Sequence, residues 1–497
     1  MLLFWLLIPA IISGLVWTNN NRYIIHYTNL AGAVGLFIVS IMTFIEVSIN
    51  KSISGIGIFS RLIYIDSLNC YLLFITALAY LLVSIYSISY FGEELRKRSI
   101  TLGKLKLYYS LTNAFILSMV LALSTSNMGV MWIAIEATTL ASVFLVGFYN
   151  NKTAIEAAWK YIIICSVGIA FALLGIVLLY YSSTVALGSS FEGLNWEYLF
   201  KNAKSLNGSI LKISFIFILL GFGTKAGFSP VHTWLPDAHS QAPSPVSALL
   251  SGVLLNTAMY GILRVMTILN TNLGDNKYSG RLLIIFGLLS IGTAAFFILV
   301  QKDYKRLLAY SSIEHMGIIV LGFGIGTPIA VFAALYHTFN HAMTKTMLFL
   351  SSGNVYLKYH TKNISGIKGL IKTMPVTGIV FVLGIFAITG MPPFGIFMSE
   401  FNTVVAAFFA ENFWAAGILL FFIAIVFAGF IKQLSKIFFG RCDNSEIKNG
   451  EIDFVGPAVL VVLLSIVLLM GVYIPEPLNK IMEASRDIIL GIGGSGI

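Results

Sequence analysis

Ionisable side chains recur in this sequence where water should be scarce. Lys225 lies at mid-depth of a hydrophobic run, in GFGTKAGFSPVHTWLPDAHSQAPSPVSALLSG, and Gly227 and Pro230 interrupt the helix that must carry it. Proline removes a backbone donor and clashes with the preceding turn, leaving carbonyls that lipid cannot satisfy. Such a break survives at depth only against protein or a wet cavity. Glu136 is central in MWIAIEATTLASVF, and Lys160 falls about two turns into the run containing EAAWKYIIICSVG. Glu400 follows a second interruption, AITGMPPFGIFMSEF, made by Gly390, Pro392, Pro393 and Gly395. His337, His341 and Lys345 in YHTFNHAMTKTMLFL are spaced i, i+4, i+8, which sets them on one stripe of a helix with neighbours about 5 to 6 Å apart. His315 is central in SSIEHMGII.

These types in this setting point to proton transfer. Glu136, Lys160, Lys225, Lys345 and Glu400 at about 3 kcal/mol each would cost on the order of 15 kcal/mol. That is comparable to the net stability of a whole domain, a load a scaffold would not normally carry. Carboxylate, amine and imidazole groups held together at low dielectric set one another's proton affinity, so moving one pair changes the next. Each group also has a plainer reading. Glu136 and Glu400 can be neutral or paired carboxyls that serve helix packing, and Lys160 can snorkel to the nearby basic face. His315 reads as a satisfied core histidine as readily as a relay. The pair His337 and His341 has the spacing of metal ligands, but the sequence offers no third ligand and no HExxH base, so no metal is expected. Glu314 points to another side of its helix than His315, toward a loop or a partner.

The elements that must position these groups are membrane spans. Of 497 residues, 58% are hydrophobic and 10% charged, against about a quarter charged in soluble domains. Runs of about 20 apolar residues recur from end to end, which predicts an all-α polytopic membrane protein with about 14 transmembrane helices. Met1 to Trp17 has no basic leader and no AxA-like cleavage site, so it is expected to be the first span. A net charge of +10 would suggest nucleic acid in a soluble chain; here the basic residues flank spans, and no nucleic acid partner is expected. About 18 loop lysines and arginines fall on one face and about 10 on the face that carries both termini. The basic loops should therefore be cytoplasmic and both termini on the outer face of the plasma membrane. Cys70, Cys165 and Cys442 stand apart, which argues against a disulfide framework, a zinc site or an iron–sulfur cluster on this chain.

The breaks at Gly227 and Pro230 and at Gly390, Pro392 and Pro393 are five spans apart. That interval divides the chain into an N-terminal three-helix segment (1–106), two five-helix repeats (107–270 and 281–438), and a C-terminal helix with an amphipathic tail (439–497), the tail from Pro475 to Leu490 lying at the surface. Five is odd, so the second repeat must be inverted in the membrane, with the seventh and twelfth helices broken, the plan of many transporters.

At these residues the chain resembles the antiporter-like membrane subunits shared by respiratory complex I, multi-subunit Na⁺/H⁺ antiporters and energy-converting [NiFe] hydrogenases. The resemblance covers about residues 60–440, and KAGFSPVHTWLPDAHSQAPSPVSALLSG is its most specific stretch. YSSIEHMG, EAAWKYIIICSVG and TGMPPFGIFMSEF are closest to the hydrogenase and formate hydrogenlyase members. The resemblance implies that Glu136 and Lys225 pair in a first half-channel, that Lys345 and the histidines connect, and that Glu400 ends the second half-channel. It also implies homologous antiporter-like neighbours in the bilayer, peripheral redox subunits, and Ni–Fe, Fe–S or flavin centres on those partners rather than on this chain. Where many relatives carry a lysine or histidine on the eighth span, Asn256 stands in LLNTAMYG; it can bind water but cannot be charged.

The expected function is ion translocation, of protons in the first instance, along Glu136, Lys160, Lys225, Asn256, His315, His337, His341, Lys345 and Glu400, in a subunit of a redox-driven complex that bears no redox site itself. The alternatives are a subunit of a stand-alone Na⁺/H⁺ antiporter, which also moves Na⁺, and, from other classes, an intramembrane enzyme or a passive scaffold.

Overall fold

The computed structural model describes residues 2–55, 62–188, 191–438 and 449–492. Its helices run in the order α1 (Leu2–Leu15), α2 (Arg22–Asn50), α3 (Ser67–Arg96), α4 (Leu102–Ser124), α5 (Met128–Val146), α6 (Lys152–Leu187), α7 (Trp196–Lys201), α8 (Gly208–Ala226), α9 (Trp234–Gln241), α10 (Ser244–Leu249), α11 (Leu255–Leu273), α12 (Lys277–Val300), α13 (Tyr304–Ile325), α14 (Pro328–Tyr359), α15 (Leu370–Thr373), α16 (Pro375–Ile388), α17 (Gly395–Phe409), α18 (Phe413–Phe438), α19 (Val455–Val472) and α20 (Glu476–Leu490). Among the described residues, 11 helical segments are long and apolar enough to cross a membrane, and α1, α16 and α17 are shorter apolar helices. The chain is a polytopic, mostly helical membrane protein.

Side-chain caps fix the depth of the helices that matter most. Asn127 accepts from the backbone N–H groups of Gly129 and Val130 to open α5, and Asn151 from Ala154 to open α6. Asp303 opens α13 by accepting from Lys305 and Arg306; Thr327 opens α14 by accepting from Ala330, with Pro328 in the first turn. A cap of this kind satisfies donors that the first turn leaves orphaned. These four helices carry Glu136, Lys160, His315 and the His337–Lys345 stripe, so the caps set where each group lies along its helix.

Helices α6, α18 and α19 are strongly apolar and turn most of their surface outward, as lipid-facing helices must, whereas α12, as apolar as α18, is more than half buried. Helix α13 and the segment Ser244–Leu273 are less apolar and wholly buried. Polar groups can be carried there because protein, not lipid, surrounds them.

One feature departs from the sequence reading. An antiparallel ribbon, β1 (Ser52–Ser54) with β2 (Tyr64–Asp66), breaks the all-helical pattern. The polar connection before α8 folds into α7 and two short turns, with Trp196 buried. The amphipathic tail, α20, is a surface helix as expected: Leu478, Ile481, Met482 and Ile489 are buried against α3, α14 and α11, while Glu476 and Lys480 face outward. Cys70 and Cys165 are buried free thiols, whereas Cys442 lies outside the described residues.

Candidate functional site: two buried polar clusters beside broken helices

Both interruptions are built so that their freed backbone groups find partners. Helix α8 ends at Gly227, whose φ of 80° is the left-handed conformation glycine adopts most easily. The Phe228 N–H then donates to Gly223 O (2.9 Å), and the Trp234 indole Nε1 reaches back to Thr224 O (2.8 Å). At the second interruption Gly390 takes a φ of 67°, and the Met391 N–H donates to Phe386 O (3.0 Å). A side chain at Gly390 would collide with Glu400 Oε2, so the carboxylate lies directly against the exposed backbone of the break. In each case a left-handed glycine stands three residues before a proline.

In the first cluster Lys225 is buried at the end of α8. Its Nζ donates to Thr139 Oγ1 (2.8 Å) and to the Tyr161 hydroxyl (2.6 Å), and lies 4.7 Å from the Tyr161 ring centroid. Thr139 Oγ1 in turn donates to Glu136 Oε2 (3.2 Å), and Ser166 Oγ donates to Glu136 Oε1 (3.2 Å). Glu136 and Lys225 therefore communicate through one threonine hydroxyl rather than by a direct ion pair. Glu136 is half-buried, beside the exposed Ile133 and Leu140 of α5.

In the second cluster every ionisable group is buried. His315 Nδ1 and His337 Nε2 share a hydrogen bond of 2.9 Å, and His337 Nδ1 is 2.9 Å from Ser399 Oγ, next in sequence to Glu400. Lys345 Nζ donates to Leu308 O (2.7 Å) and to Ser311 Oγ. The His341 ring is 5.5 Å from that of His315, and among the described residues neither of its nitrogens has a hydrogen-bond partner. Among the described residues no group of three His, Cys, Asp or Glu could hold a metal ion.

Between the clusters a turn of π-helix, Leu250–Leu254, joins α10 to α11. Such turns widen a helix and often mark functional positions. Ser251 Oγ is 2.8 Å from Ser312 Oγ on α13, and a side chain at Gly252 would meet Thr346 and Ala342 of α14. Asn256 follows at once. Its Nδ2 donates to Gly252 O (2.9 Å), while its buried Oδ1 has no partner among the described residues.

Two placements differ from expectation. Lys160 belongs to neither buried cluster: its side chain is 48% exposed and its Nζ pairs with Glu156 (2.6 Å) and Asp237 (3.3 Å). The physical reason is the outward face of α6, along which the amine snorkels to water as its plainer reading allowed. Glu314, expected to face a loop or partner, is instead 2% exposed, because α13 is enclosed on all sides. His239 of α9 was missed altogether. It is fully buried, stacked on Phe349 (5.2 Å between centroids), with both ring nitrogens unpartnered among the described residues. A histidine inside DAHSQAPSPV was visible in the sequence, and only its loop-like surroundings hid it.

Buried carboxylates and amines beside helix breaks within a many-helix bundle define an ion-transport type of membrane protein. Residues 125–428 match the family described as NADH:quinone oxidoreductase/Mrp antiporter, TM, and the chain belongs to that family. It is 40% identical to the hydrogenase-4 component F homolog of Methylacidiphilum infernorum over 83% of this chain and 85% of that one. It is 28% identical to NADH-quinone oxidoreductase subunit M of Rickettsia typhi, over 69% of this chain and 68% of that one. The Mrp complex structure from Dietzia sp. shares its fold, with a TM-score of 0.86, 18% identity and coverage of 100% of this chain and 98% of that one. The chain is thus an antiporter-like membrane subunit.

Proposed function

We propose that this chain translocates ions, protons in the first instance, through the two buried clusters, as one subunit of a redox-driven complex of the hydrogenase or complex I kind. The observation that carries the reading is the Glu136–Thr139–Lys225 linkage at the first break. A carboxylate and an amine joined by a hydroxyl can exchange a proton, and little else explains a buried lysine linked to a half-buried glutamate beside an interrupted helix. From Lys225 the route continues past Asn256, whose free Oδ1 suits a bridging water, to Lys345, His341, His315, His337 and Glu400. Lys160 stands at the cytoplasmic mouth of this route rather than within it.

On this reading the eleven long segments, with α1, α14 and the broken pair α16–α17, make up about 14 spans. The breaks then belong to the seventh and twelfth, within inverted five-helix units at 107–270 and 281–438, flanked by 1–106 and 439–497. The two left-handed glycines, each three residues before a proline, support that symmetry. Lateral neighbours would be homologous membrane subunits covering the half-buried Glu136, with the redox centres on peripheral partners. The basic loops would face the cytoplasm of a cell whose plasma membrane holds the complex, with both termini outside.

The test is ion pumping by the intact complex in sealed vesicles. Lys225→Ala and Glu136→Gln are each expected to abolish pumping while the complex still assembles; normal pumping in both rejects the pathway. Complex composition separates the second reading: copurification with only small membrane subunits, and Na⁺ movement, would favour a stand-alone antiporter.

A further inference from the structure

We propose that Glu314 is a proton-binding residue of the second cluster and the counter-charge of Lys345, so that the second half has its own carboxylate–amine pair. The inference rests on the pathway proposed above and adds a member to it.

Helix α13 is wholly buried and touches α9, α14 and α17, the helices that bear His239, the His337–Lys345 stripe and Glu400. Lys345 is anchored to α13 at Leu308 O and Ser311 Oγ. Glu314 is one turn further along, three residues from Ser311 and so on the same side of the helix. Lys345 on α14 and Glu400 on α17 are thus carried on helices packed against the one that bears Glu314. Its Oε2 is 3.9 Å from His315 Nε2, and among the described residues neither atom has a hydrogen-bond partner. The ionisable groups that its own helix and those packed on it bring to this region are His315 on α13, Asp237 and His239 on α9, His337, His341 and Lys345 on α14, and Glu400 on α17.

A carboxyl placed for packing alone would be hydrogen-bonded, because an unpaired buried polar group is costly. A carboxyl that cycles between protonated and ionised forms needs the surroundings Glu314 has: an amine anchored one turn away on the same helix, and an oxygen, Oε2, left open among the described residues. The step is a simple transfer. A proton leaves the Lys345 ammonium, which becomes a neutral amine, and joins the Glu314 carboxylate, which becomes a neutral carboxyl, with net charge conserved. Its onward move to Glu400 or His315 restores the carboxylate.

The experiment compares Glu314→Gln, Glu314→Asp and Lys225→Ala in the intact complex in sealed vesicles, reading redox turnover and ions pumped per turnover. Glutamine keeps the shape and polarity but binds no proton, so Glu314→Gln should assemble, turn over and lose roughly tenfold or more of its pumping. Glu314→Asp should regain part of it with a displaced pH profile. Normal pumping in Glu314→Gln beside failed pumping in Lys225→Ala overturns this proposal and leaves the pathway standing. Normal pumping in both overturns the pathway and the proposal together. Should the glutamine variant not assemble, the aspartate variant decides, and an unchanged pH profile in it rejects the role.

Discussion

The two clusters handle the same chemistry in opposite surroundings. In the first, Glu136 is half-buried at the lateral edge of α5, and a single threonine hydroxyl joins it to Lys225. In the second, Glu400 is 6% exposed and Lys345 fully buried, with histidines and a serine hydroxyl between the carboxylate and the rest. A threonine hydroxyl can pass a proton but cannot keep one, whereas an imidazole can do both. On the function proposed above, the first cluster would serve as a two-group contact within reach of a neighbouring subunit, and the second as an enclosed store with several places for a proton to wait. A lateral contact is easier to open where the carboxylate is only half-buried; enclosing the second cluster relies on α13, whose central turns are buried on every side.

The comparison breaks most sharply at Lys225. Its loss removes the only amine of the first cluster, and Lys225→Ala should bring pumping in sealed vesicles to the level of vesicles without the complex. Survival of pumping there would mean that the second cluster works alone. Next in size is Gly390→Ala. The left-handed backbone alone penalises any side chain by about 1 kcal/mol, and the added carbon would also collide with Glu400 Oε2. Reduced assembly or thermal stability, together with lost pumping, is expected. A variant of normal stability and pumping would show that the break is not pressed against the carboxylate.

Much of this was legible beforehand because glycine and proline mark breaks loudly and a charge in an apolar run stands out. Lys225, Glu136 and Glu400 are buried or half-buried beside their breaks, and the i, i+4, i+8 spacing of His337, His341 and Lys345 placed them on one buried helix. Glu314 was not legible for a specific reason. A helical wheel gives the angle between Glu314 and His315, but not what faces each direction; on α13 every direction is protein. Lys160 failed in the converse way. Its depth along α6 was readable, but its partner Asp237 comes from a distant helix, α9, and the sequence cannot show that the pair meets near water.

Single hydroxyls sharpen the contrast between a contact and a store. Thr139→Val keeps the volume but removes the hydroxyl that, among the described residues, joins Glu136 to Lys225, and it should lower pumping nearly as far as losing either charged group. Ser399→Ala removes one partner of His337, at about 1 to 3 kcal/mol of stability if that nitrogen is left bare, yet the His315–His337 bond survives. Pumping should therefore fall only a few-fold. Equal effects in the two variants, measured as ions per redox turnover, would erase the distinction.

The smallest effect is expected at Lys160. Its ion pairs are exposed, a class worth about 0 to 1 kcal/mol, and Asp237 keeps a second partner in Arg306 at 2.7 Å. Lys160→Ala should thus leave thermal stability within about 1 kcal/mol and pumping close to that of the unaltered complex. If it instead pumps as poorly as Lys225→Ala, then an amine at the water-facing mouth controls entry to the first cluster. The open half would begin at α6 and α9 rather than at Glu136.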